Sequence, residues 1–484
     1  MSQADNKISK AVQEKLDEKF NFLHDENKEP YAVQLGPLNN PISLPVEGDD
    51  FKAECHEIAI TYGEHLTDNT YKKIIEVCKA KAYISKKVVH MPLRVAAIED
   101  GIEIDKGDEK HTIYQVKKDG VQSLTKGSQT HFKRSTAMLS LPDVITDGDI
   151  NELKDYVTFE EVPFQLFVCI ISFWLAHPKV DTTSFPLLIL IADQGSGKTF
   201  LCKTVLRSLI DPSVFGVQSY PKKTQDLVLS SQLSHLQIYD NVTYLSLDDA
   251  NSLCIMSTGG SLATRRLYSN SQVINHKLHG PCVLNGLINF IPTPDLAQRC
   301  LMLELPVLEP ASRRSEKELM SAFNEAKPRI FTGLLKLISK VFGALDDVEL
   351  IHKERMLDFS NWIAAVEKVQ GLEAGLLQNA YHQILIESQI DSVMGDQLAS
   401  AVYQAVTGTE KDSWSGTANE LLTHLQTSMT INCGDTRSNK WPKNAIALSK
   451  RLRISKTALL VQGVEVTFTR GKDRIITITN LDAY

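Results

Sequence analysis

LLILIADQGSGKTFLCKT, residues 187–204, combines a short apolar run, a glycine-rich turn that ends in Lys-Thr, and a helical pattern. This order of strand, loop and helix is typical of a phosphate-binding loop. Gly195 and Gly197 allow the backbone to wrap around a polyphosphate, so that its N–H groups face the anionic oxygens. We expect Lys198 to reach the β- and γ-phosphates and the Thr199 hydroxyl to bind Mg²⁺. The sequence therefore predicts a site for a nucleoside triphosphate.

The predicted nucleotide-binding residues form the loop and the first turn of the helix: Gln194, Gly195, Ser196, Gly197, Lys198, Thr199 and Phe200. The usual pattern starts with a glycine, and Ala192 stands at that position here. Because the Gly-Ser-Gly-Lys-Thr core is intact, we interpret Ala192 as a variation at the start of the loop. The alternative, a chance Gly-Lys-Thr turn, does not account for the flanking strand and helix.

The composition is typical of a soluble globular protein. The chain has 484 residues, which suggests about three domains. Its formal net charge of −7 argues against a protein that coats nucleic acid with its whole surface. The eight cysteines include no Cys-x-x-Cys pair and predict reduced, buried thiols in a cytoplasmic protein, without a zinc site or a disulfide framework. We find no signal peptide, and the apolar stretch 162–176 predicts a core helix, so we expect no membrane partner.

We predict four segments: an N-terminal α+β domain of unknown role, a phosphate-loop α/β domain, a helical lid region and a winged-helix-like end, at residues 1–150, 151–345, 346–410 and 411–484. In the first segment, helical patterns lie near residues 9–24, 51–63 and 69–85. Short alternating runs that predict strands follow at residues 91–100, 101–105, 111–120 and 130–135.

In the second segment, apolar strand-like runs recur after the phosphate-binding loop, at residues 236–240, 282–286 and 301–305. Helical patterns separate these runs. This alternation predicts a parallel sheet with helices on both faces.

The second nucleotide-binding element should be an acidic residue at the end of an apolar strand. Asp240 ends the LQIYD run, forty-two residues after Lys198, and we predict that it binds Mg²⁺ together with Thr199. Asn241 stands where many phosphate-loop ATPases have a glutamate that polarises the attacking water. An amide can orient water but is a poor base, so the sequence leaves the activating group open.

Two further polar residues follow at strand ends. Asn285 ends the strand PCVLNG, where its side chain would reach between the two core strands and position water or the γ-phosphate. The alternative is an ordinary Asn in a turn. Arg299 stands just before the last apolar strand, where ring ATPases present an arginine to the γ-phosphate of the neighbouring subunit. The alternative is a surface arginine in a salt bridge.

A basic segment, STGGSLATRRLYSNSQVINHKLHG, lies between Asp240 and Asn285. Its paired glycines suggest a hinged hairpin with basic and aromatic groups that can hold phosphates and stack on bases. The predicted DNA-binding residues here are Arg265, Arg266, Tyr268 and Lys277. A solvated charged loop is the alternative.

These residues in this order resemble the superfamily 3 helicases, a branch of the AAA+ ATPases found in viruses, phages and other mobile elements. The resemblance covers about residues 155–345 and rests on ADQGSGKT, IYDN, STGGSLATRRLY and AQRC. It implies an AAA+ core that uses ATP and Mg²⁺, works as a hexameric ring with shared ATP sites, and moves single-stranded DNA with a pore hairpin. The catalytic residues would be Lys198, Asp240, Asn241, Asn285 and Arg299. Arg329, in AKPRIF, could be a second phosphate sensor within the same subunit, but an ordinary helix residue is the simpler explanation.

The C-terminal segment predicts a second contact with DNA. Residues 440–474 contain nine basic and two acidic side chains in a protein whose net charge is negative. A helix followed by a hairpin is similar to a winged helix, with the helix entering a groove and the 471–472 tip as the wing. The predicted DNA-binding residues are Lys450, Arg451, Arg453 and Lys472. The alternative is a winged helix that binds protein.

Our first hypothesis is an ATP-driven DNA helicase or translocase that replicates a phage or mobile element, with a primase or polymerase as a possible partner. The second is an ATP-controlled initiator that recognises an origin or operator without separating strands, which Asn241 keeps open. The third is a small-molecule kinase. Three features argue against it: the Arg299 motif, the basic hairpin and the basic C-terminus.

Overall fold

The computed structural model describes residues 3–34, 40–265, 273–287, 289–308, 314–394, 397–407, 412–428, 441–469 and 474–481. The chain is a mixed α/β protein with a five-stranded parallel sheet at its centre. Among the described residues, no helix combines the length and apolar character that crossing a membrane requires.

The N-terminal part begins with three helices around a small antiparallel sheet of order β1-β2-β3. Its elements are α1 (Gln3–Lys19), β1 (Phe20–His24), β2 (Pro30–Gln34), β3 (Ser43–Pro45), α2 (Asp49–Thr61) and α3 (Asp68–Ile84). The α2 and α3 helices match the patterns near residues 51–63 and 69–85.

The helix predicted near residues 9–24 is wrong at its C-terminal end, because the chain leaves the helix at Lys19 and continues as β1. Phe20 and Phe22 are both buried, and their ring centroids lie 6.0 and 6.2 Å from that of Phe51. Alternate residues of a strand face the same side, so a strand brings both rings to one core, which a helix would not.

A four-stranded antiparallel sheet of order β4-β5-β6-β7 follows. Its strands are β4 (Val95–Ile98), β5 (Gly101–Asp105), β6 (Ile113–Lys117) and β7 (Gly120–Leu124). The strand predicted at residues 130–135 is wrong, since that segment is irregular. Arg134 there binds the Asp105 carboxylate through Nε at 2.8 Å and Nη2 at 2.6 Å, so the segment is held by side chains instead of a strand ladder.

The central part alternates strands and helices. Its elements are α4 (Glu161–Ala176), β8 (Leu187–Ala192), α5 (Lys198–Phe200), α6 (Arg207–Leu209), β9 (Gln218–Ser219), α7 (Thr224–Leu233), β10 (Gln237–Asp240), α8 (Leu247–Thr258), β11 (Gly260–Arg265), β12 (Val273–Leu278), β13 (Cys282–Gly286), α9 (Pro294–Ala297), β14 (Cys300–Leu305) and α10 (Glu316–Ala344). The parallel sheet has the order β14-β8-β13-β10-β9, as the recurring apolar runs predicted.

The core is built around α4, in which residues 164–176 are all buried. A helix that is apolar on every side is stable only when other elements surround it, and α4 packs against α10 and two later helices. The predicted core helix at residues 162–176 is confirmed. The seven described cysteines are also buried, as expected, and Cys433 lies outside the described residues.

The same core continues across residue 150, the predicted end of the N-terminal domain. The rings of Tyr114 on β6 and Phe331 on α10 lie 5.8 Å apart. Gly333 on α10 approaches a 3₁₀ helix, Ile150–Asp155, so closely that a Cβ would lie 2.3 Å from the Ile150 nitrogen. The β4–β7 sheet therefore packs directly on the central part.

The C-terminal elements are α11 (Leu357–Gln370), α12 (Leu376–Met394), α13 (Gln397–Thr407), β15 (Ser413–Thr417), α14 (Ala418–Ser428), α15 (Ala445–Val461), β16 (Val464–Phe468) and β17 (Ile475–Asn480). The three strands form an antiparallel sheet of order β15-β17-β16. The predicted boundary at residue 410 places α13 in the helical lid region with α11 and α12. In the structure, Leu398, Val402 and Val406 of α13 belong to the core of this last unit.

Candidate nucleotide-binding site

The predicted phosphate-binding loop lies at the carboxyl end of β8, which pairs with β14 on one side and β13 on the other. Gly195 has φ 84° and Gly197 has φ 82°, in the left-handed region that favours glycine. Within the described part of the chain, a Cβ on Gly197 would meet only the Leu308 side chain, at 3.7 Å. The backbone conformation, more than a lack of space, therefore requires glycine here.

The helical segment after the loop starts at Lys198 and continues through a π turn, Leu201–Leu206, to α6. Its first backbone hydrogen bond runs from the Leu201 N–H to the Gly197 carbonyl at 3.0 Å. The N–H groups of Lys198, Thr199 and Phe200 precede that bond and are directed out of the helix start. Such groups, with the helix dipole, favour an anion.

The side chains of the loop differ in how they are placed. Lys198 Nζ donates to the Ala192 carbonyl at 3.0 Å, so the lysine folds back across the loop. Gln194 and Thr199 are exposed. The Ser196 hydroxyl is buried without a hydrogen-bond partner among the described residues. The Phe200 ring packs edge-on against Phe323, with centroids 6.0 Å apart, so its backbone is the part that faces the site.

Asp240 is the last residue of β10 and Asn285 is the last but one of β13. The strand β13 lies between β8 and β10. All three strands are parallel. Their carboxyl ends therefore meet at the edge of the sheet that carries the loop, which is where ligands bind in open α/β sheets. The tertiary structure thus brings together the loop, Asp240 and Asn285, three elements separated by up to ninety residues in sequence.

Asn285 is fully buried and connects two elements of this edge. Its Nδ2 donates to Cys202 Sγ at 3.3 Å, and its Oδ1 accepts from the Asn241 N–H at 3.2 Å. The side chain thus connects the residue after β10 to the helical segment that follows the loop. The predicted positioning of water or the γ-phosphate by Asn285 stays a prediction.

Asn241 adopts φ 56°, a left-handed conformation that asparagine tolerates better than most residues. Its N–H also donates to Asp240 Oδ1 at 2.8 Å. This bond orients the half-buried Asp240 carboxylate and leaves Oδ2 to bind a cation or a water molecule. The Asn241 residue itself is exposed at the edge of the site.

Arg299 lies at the opposite end of the sheet. Its carbonyl accepts from the Leu187 N–H at 2.9 Å, at the start of β8. The five residues from there to Ala192 span about 17 Å at the rise of a strand. The side chain of Arg299 is 8% exposed and pairs with Asp295, with Nη1 at 2.8 Å from Oδ2. Arg299 is therefore too far away to contact a phosphate held by its own loop.

Arg355, which sequence reasoning missed, shares Asp295 with Arg299. Its Nη1 lies 2.8 Å from Asp295 Oδ1 and 3.2 Å from Gln298 Oε1, and 43% of its side chain is exposed. Arg355 precedes α11 and belongs to no motif, so no sequence signal could have placed it there. Arg329 forms a salt bridge to Glu152 at 2.8 Å, in keeping with an ordinary structural role.

The basic segment forms the predicted hairpin, with β11 and β12 paired from Gly260–Leu278 to Arg265–Val273. Gly259, with φ 74°, precedes it as the expected hinge. Arg266 and Tyr268 lie outside the described residues. Lys277 lies at the base of the hairpin, where it pairs with Asp181 at 2.9 Å.

At the C-terminal end, the predicted basic helix is α15, and the hairpin after it is formed by β16 and β17. Lys450, Arg453 and Lys456 are exposed at spacings of three residues, so they lie along one side of the helix. Arg453 lies over the Phe468 ring, 4.8 Å from its centroid. Arg451 is half-buried, and Lys472 lies outside the described residues.

The chain matches two family models. One describes an actinomycete integrative conjugative element replication protein and matches residues 156–389, and the other describes the C-terminal domain of this RepA protein and matches residues 398–483. Together they cover about two thirds of the chain. No curated protein matches it.

Among solved structures, the apo A form of the NrS-1 C-terminal region is 13% identical with a TM-score of 0.42, over 97% of this chain and 99% of that one. A second structure of that region is 12% identical with a TM-score of 0.37, over 97% and 98%. The two family matches identify the chain as a replication protein of a mobile genetic element.

Proposed function

We propose that this protein is an ATP-dependent DNA helicase or translocase that acts in replication of its element, with an AAA+ core and a winged-helix end. One observation carries the proposal: the phosphate-binding loop and Asp240 lie at the same edge of a parallel sheet, with Asn285 on the strand between them. This is where a phosphate-loop ATPase needs its phosphate cradle and its metal-binding carboxylate.

The residues present fit ATP and Mg²⁺. The left-handed glycines, the outward N–H groups at the helix start and the buried, unpaired Ser196 hydroxyl suit a polyphosphate. The Thr199 hydroxyl and the Asp240 carboxylate are hard oxygen ligands of the kind that Mg²⁺ prefers. When bound, Mg²⁺ neutralises charge on the phosphates. Lys198 would exchange its bond to the Ala192 carbonyl for phosphate oxygens.

A ring assembly completes the proposal. Since Arg299 is remote from its own loop, it can stabilise a transferring phosphate only in a neighbouring subunit, after leaving Asp295. Head-to-tail contacts of this kind form a ring when the rotation from one subunit to the next closes. The β11–β12 hairpin and the exposed basic side of α15 are the proposed DNA contacts, and the order α13, β15, α14, α15, β16, β17 supports a winged helix.

The second candidate function is an ATP-controlled initiator that does not unwind DNA. Asn241 favours it, because the residue beside Asp240 has no basic group that could accept a proton from water. In this version, ATP binding assembles the protein on its DNA and hydrolysis is very slow.

ATP hydrolysis by the purified protein, with and without single-stranded DNA, distinguishes the two. We expect DNA to raise the rate and Lys198→Ala to abolish it. Lys203→Ala is the matched control, because Lys203 is exposed on the same helical segment and belongs to no motif. If none of the DNAs tested changed the rate of ATP hydrolysis, the helicase hypothesis would be wrong. Negligible hydrolysis together with tight, sequence-selective duplex binding would establish the initiator.

A further inference from the structure

Three metal-binding side chains meet between the segment before α11 and the helix α12. They are His352 and Glu354 from that segment and His382 from α12. Each contributes one ligand atom, and these atoms all lie within 4.8 Å of one another. His382 Nδ1 lies 2.6 Å from Glu354 Oε1, so the two share a proton in a short hydrogen bond.

The second histidine is held in place by the same helix. The His352 ring stacks on the His382 ring with centroids 3.9 Å apart and an angle of 3° between the planes. His352 Nε2 lies 2.8 Å from Asn379 Oδ1, and Asn379 is three residues before His382 on α12. An amide oxygen only accepts hydrogen bonds, so Nε2 carries the proton and Nδ1 keeps its lone pair. A metal-bound histidine is oriented by just such an outer partner.

We propose that His352, Glu354 and His382 bind one divalent transition-metal ion of the Zn²⁺ class. Two imidazoles and one carboxylate form a ligand set that Zn²⁺ uses, with water in the fourth position. With bonds of about 2.1 Å, ligands of a tetrahedral ion lie about 3.4 Å apart. The His382–Glu354 pair would therefore open by less than about 1 Å. The two parallel imidazole rings would turn out of their stack, so that the lone pairs of both face the ion, and the ion would replace the shared proton.

The surroundings allow an ion to enter and to have a structural effect. All three side chains are partly buried, so the site is ordered but open to solvent. The positive charge of the adjacent Arg355 is paired with Asp295, which reduces its repulsion of a bound cation. The ion would join the segment before α11 to α12 and hold that segment, with Arg355, next to α9. The proposed metal site requires neither ATP nor DNA.

The test is metal titration of the tag-free, full-length protein after removal of metal with a chelator. Calorimetry with Zn²⁺ should show one saturable ion per chain, and Co²⁺ should give the visible absorption of a four-coordinate site. His382→Ala and Glu354→Gln should each lose this binding. Asn379→Ala leaves the ligands intact and should weaken it by about 10-fold or more.

His65→Ala is the matched control, because the chain has 13 histidines and His65 is an exposed one far along the sequence from the cluster. It should bind Zn²⁺ like the unchanged protein. Melting temperatures provide a second measurement: Zn²⁺ should raise that of the unchanged protein but not that of His382→Ala, with both alike in chelator. The proposal fails if no one-to-one site appears, or if His382→Ala and Glu354→Gln still bind the ion normally.

Discussion

The side-chain amide of Asn285 donates a hydrogen bond to the sulfur of Cys202 at 3.3 Å, and this bond joins the end of β13 to the helical segment that follows the phosphate-binding loop. Burial raises the pKa of the Cys202 thiol to about 12, so the sulfur is an uncharged acceptor. Since Asn285 also accepts from the Asn241 N–H, one buried amide sets the spacing between the loop helix and the end of β10.

Cys202→Val should lower the free energy of unfolding by about 1–3 kcal/mol, because it leaves the buried Asn285 amide N–H without an acceptor. Cys202→Ser keeps an acceptor at the same position and should stay within about 1 kcal/mol of the unchanged protein. Urea unfolding of the two variants provides the comparison. Equal stabilities would show that the Cys202–Asn285 bond contributes nothing.

A buried ion pair, Arg94–Asp211, anchors the residues before β4 to the central part, with Nε at 3.0 Å from Oδ1. Asp211→Asn leaves two buried arginines, Arg94 and Arg207, without their carboxylate, and we expect a loss of about 3–5 kcal/mol. Asp181→Asn is the control, because the exposed Asp181–Lys277 pair should contribute less than about 1 kcal/mol. Urea unfolding at neutral pH measures both.

The same carboxylate predicts a dependence of stability on pH. Burial alone would raise the pKa of Asp211, but the charges of Arg94 and Arg207 lower it to about 2, from 3.8. Because the pKa of Asp211 is lower in the folded protein, its contribution to stability is complete above the pKa that it has in the unfolded chain. This contribution is lost as the pH falls from about 4 to 2. Unfolding curves in that range should converge for the unchanged protein and Asp211→Asn. If the difference in unfolding free energy between the two proteins stayed constant over this pH range, Asp211 would not be the group that titrates.

Arg299 and Lys198 lie at opposite ends of the sheet, so a shared ATP site makes a prediction about mixed assemblies. Lys198→Ala and Arg299→Ala should each be inactive alone. Mixing them one to one should restore hydrolysis at up to about a quarter of the interfaces of a ring, because one subunit supplies an intact loop and its neighbour an intact arginine.

Mixing Arg355→Ala with Lys198→Ala in the same way shows which of the two arginines that share Asp295 acts on the neighbouring subunit's ATP. If only the Arg355→Ala mixture regains activity, the role belongs to Arg355. If neither mixture does, the site is contained within one chain and the proposed ring mechanism is wrong.

The exposed basic side of α15 predicts how DNA binding responds to salt. Replacing Lys450, Arg453 and Lys456 by alanine should weaken duplex binding and reduce the slope of log K against log salt by up to about 3, if each contacts a phosphate. Fluorescence anisotropy at several salt concentrations measures this slope. A triple alanine variant of exposed lysines elsewhere, Lys72, Lys110 and Lys222, should leave the slope unchanged.

Elements with strong local patterns were predictable. The run Leu187–Ala192, the glycine turn and the helix after it, and the all-apolar helix α4 follow from burial and backbone conformation encoded in neighbouring residues. The order of apolar runs also predicted the parallel sheet. The boundary between α1 and β1 was not predictable in this way, because Phe20 and Phe22 become strand residues only through their contact with Phe51.

The sequence by itself determined which residues are candidates for phosphate-loop chemistry, because that prediction depends on residue type and spacing along the chain. Only the tertiary structure decided how distant residues meet. It enclosed the Asn285 amide between Cys202 and Asn241, put Arg299 at the far end of the sheet, and stacked His352 on His382. Such contacts depend on strand order and helix packing, which bring together side chains whose separation in sequence carries no periodic signal.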